Sequence, residues 1–96
     1  MIRHIVLFRA RKPEDIQAMY DGLEMLITTK DADVLEVKLN ERKDSWSDEI
    51  DVIVYGEFKD SAALKKFKES PVYKDTIKIV KPLRDIRIAA DYTVTE

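Results

Sequence analysis

Met1-Ile2-Arg3-His4-Ile5-Val6-Leu7-Phe8-Arg9 opens the chain and decides how the rest is read. Successive side chains of a strand point to opposite faces, so Ile2, His4, Val6 and Phe8 share one side. Arg3, Ile5, Leu7 and Arg9 share the other. A strand with one wet face alternates cleanly between apolar and polar residues. Here the middle positions are apolar on both sides, which predicts a central strand covered on both faces. The same strand holds the only histidine of the protein. Parity alone leaves open which face that histidine takes.

Working outward, Asp51 to Phe58 is the second stretch with apolar residues on both faces. Val34 to Leu39 alternates instead: Leu35, Val37 and Leu39 on one side, Glu36 and Lys38 on the other, the pattern of an edge strand. Arg84 to Val94 reads the same way, with Ile86, Ile88, Ala90, Tyr92 and Val94 opposed to Arg87, Ala89, Asp91 and Thr93. Between the first two strands, Pro13 suits a first helical position and Glu14 and Asp15 suit the positive end of the helix dipole. Ile16, Met19, Tyr20, Leu23, Leu26 and Ile27 then recur at helical spacing. Gly22 within that stripe predicts a close packing contact. Asn40 to Glu49 is a polar connection between strands, and Asp48, Glu49 and Asp51 read as part of a solvated hairpin. Asp60 or Ser61 caps a helix with Ala63, Leu64 and Phe67 on its stripe. Ser70-Pro71 restarts a helix in which Val72, Tyr73, Ile77, Val80 and Leu83 keep the spacing, and Pro82 closes it.

The order is β-α-β-β-α-β, an α+β ferredoxin-like arrangement with a four-stranded antiparallel sheet in one domain, residues 1–96. In that topology the first and third strands are central, and these are the two with apolar residues on both faces. The helices cover one side of the sheet. The other, where Ile5, Leu7, Ile53 and Tyr55 are expected, calls for a second copy, two sheets face to face in a twofold dimeric barrel.

Composition removes several functions. There is no cysteine, hence no disulfide, thiolate chemistry or cysteine zinc site. The 17 basic and 19 acidic residues are interspersed, with a net charge of −2, so no footprint for nucleic acid or an anionic membrane is present. No metal-ligand spacing, nucleotide loop or nucleophile elbow occurs. Neither a signal peptide nor a transmembrane helix fits, and a cytoplasmic protein without a cofactor is expected.

Ile2 to Phe8, the segment Phe58-Lys59-Asp60-Ser61-Ala62-Ala63-Leu64-Lys65-Lys66-Phe67, Ser70-Pro71-Val72-Tyr73 and Asp91-Tyr92 occur here in one order and spacing. In these pieces the chain resembles the stress-responsive dimeric α/β-barrel (Dabb) family along nearly its whole length. The resemblance implies a homodimer whose two sheets form a barrel. One branch of the family contains plant polyketide cyclases, which close a ring by aldol condensation. Their base is a histidine two residues after the proline that opens the second helical segment, and its partner is a tyrosine four residues before that proline. Those positions are Tyr73 and Phe67 here, so the cyclase mechanism does not carry over; of the recognisable site residues only His4 is kept.

His4 is therefore the candidate acid–base group, since histidine alone changes charge near neutrality. Tyr73 is the candidate hydrogen-bond donor beside it. Val6, Phe8, Tyr20 and Phe67 are the expected pocket lining. Trp46 stands alone in the charged loop, either at a pocket mouth, at the dimer seam or as a loop anchor. The leading reading is a homodimer with a modest apolar pocket for a small hydrophobic or aromatic molecule, connected with stress response. The alternatives are a cofactor-independent enzyme of cyclase, lyase, isomerase or monooxygenase type using His4 for proton transfer, and a structural module acting through its dimer interface.

Overall fold

The computed structural model describes residues 1–95. Strands β1 (Ile2–Ala10), β2 (Val34–Leu39), β3 (Val52–Phe58) and β4 (Arg84–Thr93) form one antiparallel sheet in the order β2-β3-β1-β4. The two strands with apolar residues on both faces are the central pair, as their sequence predicts. Helices α1 (Ile16–Glu24), α2 (Ser61–Glu69) and α3 (Pro71–Val80) lie on one side of this sheet.

His4, Val6, Phe8 and Ala10 of β1 and Val52, Val54, Gly56 and Phe58 of β3 are buried under the helices. They meet Met19, Leu23, Leu26, Phe67 and Val80. Caps set the helix starts: the Asp60 carboxylate accepts from the Ala63 N–H at 2.8 Å, and the Ser70 hydroxyl accepts from the Tyr73 N–H at 3.4 Å. Gly22 brings α1 against α3, because a Cβ there would stand 2.9 Å from Ile79 Cγ2 and 3.2 Å from Val80 Cγ2.

Three expectations need correction. The first helical stripe does not run unbroken to Ile27. The chain enters as a 3₁₀ turn over Pro13–Asp15 and leaves as another over Met25–Thr28. That tighter winding keeps Leu26 buried and turns Ile27 out, 51% exposed. On α3 the buried positions are Thr76 and Val80, while Ile77 is exposed. Asp51 is not part of a solvated hairpin: it is buried, accepts from the Ala10 N–H at 2.9 Å and pairs with Arg42. It ties the loop to β1, with its own N–H donating to the Phe8 carbonyl at 2.8 Å.

The β4 pairing decides which way that strand faces. Its register sets Leu7 beside Ile88 and Ile5 beside Ala90, so its apolar side shares the face away from the helices with Ile5, Leu7, Ile53 and Tyr55. Its polar side, with Arg87 and Asp91, faces the helices, since those residues pair with buried Phe8 and His4. Hydrophobicity alone argued for neither side; the pairing register decides.

Candidate functional site

His4 is 1% exposed on the helix-facing side of β1. Asp91 stands directly across from it on β4, and directly opposed side chains lie about 5 Å apart at Cβ. The carboxylate Oδ1 takes a short hydrogen bond with His4 Nδ1. The pair is asymmetric in its surroundings, with the Asp91 side chain 43% exposed and the imidazole enclosed. In the neutral ring, a proton held on Nδ1 by the carboxylate leaves Nε2 as the acceptor.

Gly56 occupies the position across from His4 on β3. A Cβ there would meet Phe58 Cε2 at 2.8 Å, so glycine lets the Phe58 ring fold back over the strand. The result is an aromatic row. His4 meets Phe58 edge-on at 6.2 Å, Phe58 meets Phe67 at 5.1 Å, and Phe67 meets Tyr73 edge-on at 5.1 Å. The row links β1 to α3 across the floor under the helices.

Between sheet and helices lies a cavity of about 480 Å³. Its wall includes His4, Val6, Phe8, Leu23, Leu26, Phe67, Tyr73, Thr76 and Val80, with Lys81, Arg84 and Arg87 as its charged members. Thus His4, Tyr73, Val6, Phe8 and Phe67, separated by up to 69 positions in the chain, share one wall. Tyr20 is not among them. It lies on the side of α1 turned to β2, where its hydroxyl reaches the Val37 carbonyl at 3.5 Å. Burial, followed by the nearby Glu24 carboxylate, holds its phenol above the ordinary value. Among the described residues the Thr76 hydroxyl, which is buried, has no hydrogen-bond partner.

Ile5, Leu7, Ile53 and Tyr55 lie on the opposite face of the sheet, with Ile88 55% exposed beside them. The Tyr55 hydroxyl donates to Glu57 at 2.6 Å, the main reason its pKa is raised. Arg3 spans the same face, donating to the Tyr92 hydroxyl at 3.2 Å, while its Nε is buried without a partner among the described residues. Trp46 is 91% exposed in the loop. Among the described residues no group of three histidine or carboxylate side chains is placed to hold a metal, and no helix is long and apolar enough to cross a membrane.

Asp91 and Arg87 escaped sequence reasoning as site residues because the polar side of β4 reads as a solvent face, and Arg84 because regular strand parity sets it with Ile86 and Ile88. For Asp91 and Arg87 the available signal was parity. With β4 beside β1 and Ile88 level with Leu7, Asp91 falls level with His4.

The profile of the stress responsive A/B barrel domain matches residues 2–94. Three solved structures show the same fold. One is a dimeric protein of unknown function with a ferredoxin-like fold from Bacteroides fragilis, 22% identical, covering 97% of this chain and 95% of its own, with a TM-score of 0.82. A Dabb family protein with a ferredoxin-like fold from Mesorhizobium loti is 19% identical, covers 99% and 97%, and scores 0.78. An antibiotic biosynthesis monooxygenase is 14% identical, covers all of both chains, and scores 0.80. No curated protein matches the chain.

Proposed function

Because the chain belongs to the stress-responsive A/B barrel family, we propose that it acts as a homodimer in which each protomer binds a small apolar or aromatic molecule between its sheet and its helices. The observation that carries this reading is the cavity of about 480 Å³ bounded by aliphatic and aromatic side chains and by His4. Its size falls in the ordinary range of about 300–1,000 Å³ for ligand sites. The dimer is supported by the uncovered apolar centre of the sheet, by the Arg3 Nε beside it, unpartnered among the described residues, and by the dimeric proteins that share this fold.

Two measurements test this. Titration with 4-butylbenzamide, a neutral apolar aromatic, should shift the His4 and Tyr73 ring resonances and leave Trp46 unmoved; no shift up to the solubility limit removes the ligand reading. Sedimentation should give a dimer, and Ile88→Asp a folded monomer. A wild-type monomer at micromolar concentration would remove the dimer.

A second reading, proton transfer, is favoured by the carboxylate on His4 Nδ1. Nε2 would take a proton from a carbon next to a carbonyl, the C–H electron pair passing into the enolate. The Tyr73 hydroxyl would donate to the enolate oxygen, and the proton would return from Nε2. The protein should then accelerate deuterium uptake at the α-carbon of 4-butylacetophenone in D2O, and His4→Gln should abolish the acceleration. Uptake at the solvent rate with the wild-type protein discards this chemistry.

A further inference from the structure

The cavity wall is electrically one-sided. Its three charged members, Lys81, Arg84 and Arg87, are all cations, and no carboxylate lies among the lining residues. None of the three makes an ion pair among the described residues. The nearest acids in the chain are engaged elsewhere. Asp85 grips Arg9 through both oxygens, at 2.9 and 3.0 Å, and Asp91 is held by His4. Among the described residues Arg87 makes one side-chain hydrogen bond, a long one of 3.5 Å from Nη2 to the Tyr73 hydroxyl.

The backbone arranges this grouping. Arg84 and Arg87 are three residues apart, so a regular strand would send them to opposite faces. The register slips between Arg9 and Ala10, which pairs Arg9 with Ile86 and Ala10 with Arg84. Asp85 is the extra residue, and Arg84 is returned to the helix-facing side with Arg87. A bulge of this kind re-aims a side chain at the cost of a ladder hydrogen bond. It also turns Asp85 to Arg9 and away from the cavity.

We infer that the ligand is an apolar acid, whose carboxylate sits at Arg87 with Arg84 and Lys81 around it and whose apolar body runs along β1 towards His4. This rests on the ligand-binding reading above and names the chemical class that the site selects. Arg87 pairs with Phe8 and Asp91 with His4, four residues along β1, or about 13 Å. The acid group and the imidazole therefore mark two ends of one elongated site. A guanidinium offers a carboxylate two parallel donors, and the Tyr73 hydroxyl lies within reach of the same group.

The test compares 4-butylbenzoate with 4-butylbenzamide by calorimetry on the intact protein. The benzoate should bind about tenfold more tightly or better, as charge-assisted hydrogen bonds exceed neutral ones. Arg87→Gln should erase that preference, and Arg87→Lys should restore part of it. Lys81→Gln, at an exposed position, should lower benzoate affinity alone, and added salt should narrow the preference in the wild-type protein. Equal binding of acid and amide overturns the anion site and leaves the pocket intact. A preference untouched by Arg87→Gln and Lys81→Gln overturns it as well. Binding of neither compound removes the pocket reading and the anion site together.

Discussion

Removing the Asp91 carboxylate should unfasten the histidine. His4 is enclosed and its Nδ1 has the Asp91 carboxylate as partner, so Asp91→Ala leaves a buried donor unpaired. Such a donor costs about 1–3 kcal/mol. The Asp91 side chain is 43% exposed, so water can enter where the carboxylate stood, which keeps the loss near about 1–2 kcal/mol. For a domain of this size that is a fall in Tm of roughly 5–15 °C. Asp91→Asn still offers an oxygen to the Nδ1 proton and should lose less than about 1 kcal/mol. Urea unfolding at fixed protomer concentration measures both, since a dimer's stability depends on concentration. A second readout is independent of stability. The untagged protein has one histidine, so its ¹⁵N–¹H ring correlations need no assignment. The wild type should show the proton on Nδ1, Asp91→Asn should keep it there, and Asp91→Ala should move it towards Nε2. Wild-type stability and tautomer in Asp91→Ala would refute the positioning role of Asp91.

Three further outcomes follow from the packing and the charges. Gly22→Ala should destabilise despite a gain in helix propensity of about 1 kcal/mol, because overpacking against Ile79 and Val80 costs about 1–3 kcal/mol; adding Ile79→Ala should recover the loss in thermal melts. Thr76→Val removes a buried hydroxyl that has no partner among the described residues and should raise the urea midpoint, a lowered midpoint meaning that the hydroxyl is bonded after all. Asp85 has its carboxyl pKa lowered, chiefly by the hydrogen bond from Arg9 and against the opposing effect of burial. Its contribution is therefore present above the ordinary carboxylate value of 3.8 and lost as pH falls through the lowered one, so Arg9→Met should flatten the acid limb of the stability profile below about pH 4.

Much of the fold is legible from period and punctuation. Residues with apolar neighbours on both faces select β1 and β3 as central strands, Asp60 and Ser70 start helices, and Gly22 signals a tight helix contact. The site is legible only as residue types. His4, Tyr73 and Phe67 can be nominated because few other residues carry such chemistry. Tyr20 was nominated on the same stripe logic and lies outside the cavity. A helical stripe is wide enough to serve both a core and its margin, and a rotation of about 100°, one residue step, separates Tyr20 from buried Met19.

The order of elements and the two-sided burial of β1 are written in the chain locally, through strand parity and helical period. Which residues those periods bring together depends on the folded pairing. His4 faces the helices and meets Asp91, 87 positions away, through the β1–β4 register. Arg84 joins Arg87 through a one-residue slip that no composition marks. The physical reason is the same in both cases: pairing across a sheet is set by the summed fit of many contacts along two strands, and a shift of one residue exchanges every side chain between faces.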